Sequence, residues 1–363
     1  MSAAWLSSDR DILDERELKA LIRRALPASA ADPRPLRAVW GVLVMLIVLF
    51  ASSYLALMKP HWLLALGISF ALGNLYVTLM FYGHEVGHGS ILRARWCRVA
   101  FQYFTLLIYL VSPHLWSYWH NRTHHAHTNI PARDPDCFPP VELEEDREGV
   151  FVWLARRINP GSGHWLSFFN LFVAFFLQGQ LVLWRDSRAW RLQGFKRQRA
   201  MADTLGMVIF WILLAFSLGF RSAMLVIVLP MLIANFGLMA YVHTNHTLRP
   251  LGDSLTILDN SMSVRTVRFL DFLHLHFSHH VEHHLFPNLS HQYYPQVREL
   301  LVRYVPEKYL APTHWLALQV LYSTPRVYCP NRGFVNPLDG TAVTLLSIEE
   351  RLRESGRPRP LKV

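Results

Sequence analysis

Charged residues are scarce in this sequence. They make up 17% of its 363 residues, whereas hydrophobic residues make up 52%. An ordinary soluble domain carries roughly 25% charged residues, so the composition excludes a disordered or fibrous chain and argues against a wholly soluble protein. Cysteine is scarcer still, since Cys97, Cys137 and Cys329 are too few and too scattered for a disulfide framework or a CxxC zinc site.

Basic residues and histidine, in contrast, are abundant. Lys and Arg number 36 against 26 Asp and Glu, which gives a net charge of +10. In a soluble protein this excess would suggest nucleic acid. In an apolar chain it indicates basic loops on the cytoplasmic side of a membrane, and no nucleic-acid partner is expected. The 19 histidines are clustered, which first suggests a bound metal.

Four uncharged apolar stretches are long enough to span a bilayer, which needs roughly 20 apolar residues. They are residues 39–58, 62–81, 204–220 and 222–241. Only three residues join the first two stretches, and the last two meet near Arg221, so the sequence predicts two helical hairpins. Pro230 is expected to kink the fourth span. No signal peptide is expected, because the first 38 residues have no apolar core.

Two further apolar runs are 99–113, which Arg93, Arg95 and Arg98 precede, and 164–184, which has arginines on both flanks. Basic flanks predict that both ends of each run are cytoplasmic, so we expect helices that lie in the membrane interface. Both hairpins then begin and end in the cytoplasm. The alternative is that 164–184 crosses the membrane, which would put residues 84–135 and 243–300 on opposite faces.

The expected fold is an all-α integral membrane protein with four transmembrane helices in two hairpins, interfacial helices and a cytoplasmic helical cap. The predicted organisation is a cytoplasmic segment over residues 1–38, a membrane domain over 39–300 and a cytoplasmic segment over 301–363. Both termini are expected on the cytoplasmic side.

Histidines gather at the predicted span ends and in the cytoplasmic loops. The clusters are GHEVGHGS with His84 and His88, WHNRTHHAHTN with His120, His124, His125 and His127, HFSHHVEHHLFP with His276, His279, His280, His283 and His284, and the pair His243 and His246 after the fourth span. Histidines four residues apart share one face of a helix, so His84 and His88 can reach one metal. Two adjacent histidines on a helix can serve two metals, one on each side.

The number of clustered histidines indicates how many metal ions they could bind and of which kind. Eight or nine imidazoles exceed the three or four ligands of a zinc site and fit two ions with four or five ligands each. Imidazole suits zinc, copper, iron and nickel, and two irons beside a bilayer would serve O2 activation. Candidate carboxylates that orient imidazoles, or that pair with arginines instead, are Glu85, Asp134, Asp136 and Glu282. Structural roles are expected for His61, His114, His164, His291 and His314, and His127 and His279 stay open.

Three strings carry a family resemblance. HEVGH (84–88), HNRTHHAHTN with DPD following (120–129, 134–136) and HVEHHLFP (280–287) resemble the histidine boxes of integral-membrane fatty acid desaturases and of related hydroxylases and ketolases. The resemblance covers roughly residues 60–300. It implies two non-haem irons on the cytoplasmic side of a four-span bundle, above a tunnel for an acyl chain.

The resemblance also implies a ligand set. The matching positions are His84, His88, His120, His124, His125, His280, His283 and His284. One more ligand after the fourth span would be His246, with His243 as the alternative. No catalytic residue beyond these ligands and no organic cofactor site is implied.

We therefore expect an O2-dependent di-iron desaturase that introduces a double bond into a lipid acyl chain. A lipid or carotenoid hydroxylase or ketolase on the same scaffold is the nearest alternative. A histidine-rich metal transporter should carry ionisable residues at mid-bilayer, which the four predicted spans lack. A membrane zinc protease is suggested by HEVGH alone.

The electron supply follows from stoichiometry. Reducing O2 to water takes four electrons, of which the acyl chain supplies two. The sequence has no His-Pro-Gly-Gly motif of cytochrome b5 and no GxGxxG fingerprint, and three scattered cysteines cannot hold an iron–sulfur cluster, which needs four ligands. We expect a separate ferredoxin, rubredoxin or cytochrome b5 as donor, attracted electrostatically by the arginine-rich segment 185–199.

Overall fold

Helices form most of the computed structural model. It describes residues 14–131, 133–137, 150–185, 187, 195–253, 255–325, 327–329 and 333–354. The helices in the first half are α1 (Glu15–Ala25), α2 (Leu36–Met58), α3 (Trp62–His88), α4 (Arg95–Leu107), α5 (Pro113–Tyr118), α6 (His125–His127), α7 (Val150–Ile158) and α8 (Asn170–Trp184). Those in the second half are α9 (Arg197–Leu218), α10 (Phe220–Ala223), α11 (Leu229–Val242), α12 (Ile257–Asn260), α13 (Arg268–Leu273), α14 (His280–Leu285), α15 (Tyr294–Tyr304), α16 (His314–Tyr322) and α17 (Leu345–Glu354).

Irregular helical turns and one small sheet complete the described residues. The 3₁₀ turns are Ala28–Ala31, Trp165–Phe169 and His291–Tyr293, and the π-helical turns are Trp119–His124, Met224–Val228 and His243–Thr247. The strands β1 (Val327–Cys329), β2 (Gly333–Val335) and β3 (Ala342–Val343) form an antiparallel sheet in the order β1-β2-β3. Val327 pairs with Val335, and Phe334 pairs with Val343.

Four segments of the described chain are long and apolar enough to cross a membrane. They are Leu36–Met58, Trp62–His88, Trp165–Trp184 and Arg197–Thr247. The predicted all-α membrane fold is confirmed in this sense. The predicted limits of the N-terminal, membrane and C-terminal segments stay predictions.

The observed segments differ from the predicted spans in two ways. The predicted spans 204–220 and 222–241 both lie within Arg197–Thr247, which bends at Gly219, a residue with φ of 74°. The run 164–184, which we expected in the interface, satisfies the length and composition of a span, so the alternative that it crosses the membrane stands. The other run expected in the interface, 99–113, contains the end of α4 (Arg95–Leu107) and the first residue of α5 (Pro113–Tyr118).

A wide helical turn precedes Pro230, where the sequence predicted a kink. Pro230 occupies the first turn of α11, directly after the π-helical turn Met224–Val228. Proline has no backbone N–H to donate and its ring crowds the preceding turn. The wide turn therefore lies where the chain must accommodate the missing hydrogen bond.

The two connections between apolar helices lie together. Arg221, just after the bend at Gly219, donates from Nη2 to the carbonyl oxygen of Pro60 in the α2–α3 connection, at 2.5 Å. The first histidine box lies at the other end of α3, and His243 and His246 lie at the other end of the segment Arg197–Thr247. The two predicted hairpins stay a prediction, which this adjacency favours.

Glycines bring α3 and α11 close together. A Cβ atom added at Gly73 would lie 2.5 Å from Ile233, and one added at Gly237 would lie 2.7 Å from Val77. Small residues let helix backbones approach closely in membrane proteins. Helix α8 packs on the same helix α11, where the Phe175 backbone N–H donates to Asn235 Oδ1 at 3.1 Å. Helices α3, α8 and α11 thus form the scaffold beneath the histidine boxes.

Outside this scaffold, the N-terminal helix covers the region of the third histidine box. Leu18 and Ile22 of α1 are buried in one apolar cluster with Val297 and Leu301 of α15. Glu15 also accepts a hydrogen bond from the Ile257 backbone N–H at 2.8 Å. Part of the segment predicted to lie before the membrane domain is therefore packed against the site-bearing half of the chain.

Candidate metal centre

Four chain segments carry the nine histidines that converge at one end of the helices. His84 and His88 are on the last turns of α3, which continues beyond the predicted limit at residue 81 and ends at Gly89 with φ of 81°. His246 is on the π-helical turn after α11. His280, His283 and His284 are on the short helix α14. The remaining three, His120, His124 and His125, are on the π-helical turn after α5 and at the start of α6.

Five of these histidines form one group, the five-histidine cluster. Its members are His84, His88, His120, His125 and His283, whose candidate donor atoms all lie within 4.8 Å of one another. The Nε2 atom of His120 lies 2.9 Å from that of His84 and 3.2 Å from that of His125. The Nε2 atom of His283 lies 3.2 Å from that of His125.

The other four form the four-histidine cluster. Its members are His124, His246, His280 and His284, with candidate donor atoms again within 4.8 Å of one another. The Nε2 atom of His280 lies 2.6 Å from that of His246 and 3.0 Å from that of His284. All four side chains are buried.

The donor chemistry of both clusters fits a bound cation. A neutral imidazole has one donor and one acceptor nitrogen, so a single N–H on His280 Nε2 cannot satisfy two facing Nε2 atoms at once. His88 Nε2 is buried with no hydrogen-bond partner among the described residues. Lone pairs that converge in this way are what an ion with imidazole ligands requires.

A π-helical turn divides the second histidine box between the clusters. The His125 backbone N–H donates to the His120 carbonyl oxygen, five residues earlier, which is the hydrogen bond that defines a π-helix. It brings His120 and His125 into one cluster, while His124 belongs to the four-histidine cluster. The i, i+4 pair His120 and His124 still lies close together, because their candidate donor atoms and that of Asp136 are within 4.8 Å of one another. The two adjacent pairs, His124–His125 and His283–His284, are each split between the clusters.

Burial keeps most of these imidazoles neutral. The pKa values of His120, His125, His283 and His284 lie well below the ordinary value, because burial disfavours the cation and neighbouring histidines disfavour it further. The neutral form is the one that binds metal. These side chains therefore need to lose no proton to act as ligands.

His124 differs because two carboxylates face it. Its Nδ1 lies 3.0 Å from Asp134 Oδ1 and 3.3 Å from Asp136 Oδ2. Burial alone would lower the pKa of His124, but the negative charges of Asp134 and Asp136 raise it to about 9. A carboxylate on Nδ1 fixes the ring and leaves Nε2 for a metal. Asp134 is itself held by the backbone N–H groups of Asn129, at 2.8 Å, and Asp136, at 2.9 Å.

The other two candidate carboxylates behave differently. Glu85 Oε1 lies 3.5 Å from His84 Nδ1, and the carboxylate accepts a hydrogen bond from Ser90 at 2.9 Å. Within the described residues, no hydrogen bond joins Glu282 to a clustered ring. Glu282 accepts from Arg298 Nε at 3.0 Å and from the Tyr309 hydroxyl at 2.6 Å, so its role is the arginine pairing that we left open.

Two aromatic residues that the sequence analysis did not single out contact the clustered histidines. Tyr294 Oη lies 3.0 Å from His283 Nδ1, so the phenol can orient that ring while Nε2 faces the cluster. Trp116 stacks on His120 with ring centroids 4.4 Å apart and an interplanar angle of 9°. No motif marks either residue, and only the fold brings them to the site.

His243 lies outside both clusters. Its Nε2 lies 3.1 Å from Asn170 Oδ1 of α8, and its Nδ1 lies 3.2 Å from the Thr247 hydroxyl. The two candidates for the extra position are thus separated by the structure: His246 is in the four-histidine cluster, and His243 faces α8.

The remaining histidines make local contacts. His61 and His164 accept from backbone N–H groups at helix starts, and His114 and His314 contact the backbone of Lys196 and Ala240. His127 faces the Thr123 carbonyl oxygen. His276 and His279 form a separate group with Asp271, whose Oδ2 lies 3.0 Å from His276 Nδ1. His291 contacts Arg37.

A small cavity of about 30 Å³ opens beside both clusters. Apolar side chains such as Phe81, Leu238 and Phe277 line it together with His84, His120, His124, His246 and His280. The clustered imidazoles therefore border apolar space within the helical scaffold.

Comparison with known proteins places this site in a family. The profile of the fatty acid desaturase family matches residues 60–316, a range that contains all nine clustered histidines. A Delta(8)-fatty-acid desaturase of Euglena gracilis is 26% identical over 60% of this chain and 56% of its own length. An sn-1 acyl-lipid omega-3 desaturase (ferredoxin) of Synechocystis is 25% identical over 74% of this chain and 76% of its own length. The chain spans 53% of the length of fatty acid desaturase 3 of Bos taurus, at 26% identity.

Proposed function

The chain belongs to the fatty acid desaturase family, and from this premise we propose that it is a membrane oxidoreductase that introduces a double bond into the acyl chain of a lipid, using O2 and two non-haem irons. The observation that carries the proposal is the convergence of nine histidines in two clusters beside an apolar cavity. Nine histidines together exceed the three or four ligands of a single zinc site.

In this proposal each cluster holds one iron. The first iron has His84, His88, His120, His125 and His283 as its candidate ligands, and the second has His124, His246, His280 and His284. Bound iron supplies the O2-dependent oxidation of an unactivated methylene, which no side chain can perform. The protein's own part is to keep most of the imidazoles neutral through burial and to orient the rings, through Asp134 at His124 and Tyr294 at His283.

The substrate is an acyl chain whose reacting carbons lie in the apolar cavity. Phe81 and Phe277 stack with ring centroids 4.0 Å apart and line that cavity with Leu238. Such walls exclude water and hold an alkyl chain through apolar contact alone. The relatives named above are described as desaturases of fatty acids or acyl lipids, which favours the same substrate class for this chain.

Two of the four electrons that reduce O2 come from a separate electron-donor protein of the ferredoxin, rubredoxin or cytochrome b5 type. One relative is named with ferredoxin. The docking surface expected over residues 185–199 lies partly outside the described residues, because 186 and 188–194 are not described.

We propose that the metal site and both termini lie on the cytoplasmic side. Helices α2 and α3 form one membrane hairpin, and the segment Arg197–Thr247 forms the other. The remaining polar segments form a cytoplasmic cap. Arginines concentrate near the histidine-bearing ends of these helices, and basic residues favour the cytoplasmic side.

The test is lipid analysis of a heterologous host that expresses the chain with a ferredoxin and its reductase. New double bonds that disappear with His84→Ala and His283→Ala, but persist with His314→Ala, would support the proposal. His314 is a matched control, because it is mostly buried and contacts the Ala240 carbonyl oxygen rather than either cluster. Hydroxylated lipids would instead identify a hydroxylase, and unchanged lipids despite full iron loading would overturn the proposal.

A further inference from the structure

A basic cleft opens on the other side of α5 from the apolar cavity. The cleft has a volume of about 530 Å³ and lies between α4, α5 and the start of α9. Five cationic side chains line it: Arg95, Arg98, Arg122, Lys196 and Arg199. The histidine mechanism proposed above uses none of them.

Positive charge exceeds negative charge around the cleft within the described residues. No aspartate or glutamate is among the residues that line it, and none of the five cations is in an ion pair with a described carboxylate. Asp203 lies nearby and accepts a hydrogen bond from Ser112 at 2.7 Å. Like charges gathered in a recess repel one another, so an arrangement of this kind favours an anionic ligand.

The position of the cleft ties it to the candidate metal centre. Gly87 and Asn121 line the cleft, and each is adjacent in sequence to a member of the five-histidine cluster, His88 or His120. Asn121 Nδ2 lies 3.4 Å from the Gly87 carbonyl oxygen, so the two segments meet at the wall of the cleft. On α5, Trp116 lines the apolar cavity, while the next residue, Ser117, lines the cleft.

The shape of the cleft and its position relative to the membrane boundary indicate which kind of anion it binds. A recess ringed by arginines suits a compact group with several oxygens, because guanidinium groups bind phosphate through two parallel hydrogen bonds. Lys196 and Arg199 lie at the beginning of the apolar segment Arg197–Thr247, where basic side chains meet the polar boundary of a bilayer. An electron-donor protein with an acidic surface would be expected to dock on a flat basic surface rather than in a recess.

We propose that this cleft binds the phosphate-bearing head of the acyl substrate, while the acyl chain lies beside the histidine clusters. The inference rests on the proposed function and deepens it, because it assigns the enzyme to anionic substrates in preference to neutral glycolipids. A phospholipid head group and the phosphates of an acyl thioester carrier share this chemistry, and both are probes in the experiment.

The first measurement is equilibrium binding to the purified full chain without added electron donor or O2, which needs no turnover. Fluorescent phosphatidylglycerol, oleoyl-coenzyme A and monogalactosyldiacylglycerol are presented in neutral detergent micelles. The double variant Arg98→Gln/Arg199→Gln should bind the preferred anionic probe about tenfold more weakly, as expected for loss of charged hydrogen bonds, with the galactolipid unchanged. Arg303→Gln is the matched control, an exposed arginine outside the cleft. Which anionic probe loses affinity identifies the source of the phosphate.

The second measurement is turnover of the iron-loaded enzyme with saturating donor. The double variant should raise KM for the anionic substrate about tenfold and leave kcat unchanged, because the removed charges touch the head and not the reacting carbons. Equal loss for neutral and anionic probes would overturn the inference, and so would a rise in KM for the donor alone, which would make the cleft a donor-docking site. Selective binding by a chain that makes no double bond would instead refute the proposed function and keep the anion site.

Discussion

Replacing Asp134 by asparagine should weaken metal binding at the four-histidine cluster. Asp134 contacts His124 Nδ1 through both carboxylate oxygens, at 3.0 and 3.1 Å. It is buried and is positioned by backbone N–H groups of Asn129 and Asp136. An asparagine of the same shape keeps one carbonyl acceptor but removes the negative charge. The ring of His124 would then be held less firmly and would be a weaker base.

The size of the effect follows from the kind of contact removed. Replacing a carboxylate that orients a metal-binding histidine typically costs about 10–100-fold in metal affinity, equivalent to about 1.4–2.7 kcal/mol. The loss should be confined to one of the two metals, because Asp134 contacts His124 and no member of the five-histidine cluster.

The assay is competition with a chelator, followed by metal analysis of the full chain. The matched control is Asp271→Asn, because Asp271 contacts His276 Nδ1 at the same 3.0 Å but His276 belongs to neither cluster. Asp134→Asn should lose one metal at a chelator concentration that leaves wild type and Asp271→Asn fully loaded. Equal retention in all three proteins, or loss of both metals together, would refute the assigned role of Asp134.

Further expectations follow from single contacts. His246→Ala should lose one metal while His243→Ala keeps both; equal metal loss would contradict the division made by the structure. Because the pKa of His124 is about 9 without metal, metal binding must release its proton. The apparent metal affinity of the four-histidine cluster should therefore rise about tenfold per pH unit from about pH 6 to 8. A metal affinity that does not change with pH would be evidence against His124 as a ligand. Gly237→Ala should lower the free energy of unfolding by about 1–3 kcal/mol, because the added methyl group would lie 2.7 Å from Val77 on α3. The control is Gly206→Ala, whose methyl group meets open space. Equal melting temperatures of the two variants in detergent would disprove the close packing of α3 and α11.

The histidine strings and the family resemblance indicated which histidines the structure brings together. Every histidine of the three boxes that the resemblance implied as a ligand is in one of the two clusters, and its role as a metal ligand stays a prediction. Adjacent histidines on a helix point about 100° apart, because a helix has 3.6 residues per turn. The division of His124 from His125, and of His283 from His284, follows from that rotation. Local geometry is sufficient for this part because it needs no knowledge of distant contacts.

Other features depend on contacts that no local pattern encodes. The π-helical turn that joins His120 to His125 replaces an α-helical hydrogen bond by a wider one, and propensity does not specify where such turns occur. The separation of His246 from His243 is set by α8, whose Asn170 binds His243. Glu282 pairs with Arg298 only because α15 packs against α14.

The membrane segments show a similar limit. Composition identifies the apolar runs but not where the helices end, since α3 continues through the polar first box to His88. The polar end of α3 is stable in this position because His84 and His88 face the histidines of neighbouring segments. The run 164–184 is long and apolar enough to span the membrane, whereas the arginines on its flanks predict that it lies in the membrane interface. A tag at residue 190 that reports its side of the membrane would decide between these two positions.

The proposed function depends on two irons held by the two histidine clusters. Metal analysis of the full chain, grown with ⁵⁷Fe, counts these irons, and Mössbauer spectroscopy distinguishes their sites. We predict close to two irons per chain in two inequivalent sites, because one cluster offers five imidazoles and the other four. One zinc per chain with no iron, or a single iron that survives His84→Ala and His124→Ala alike, would show that the two clusters do not hold two irons.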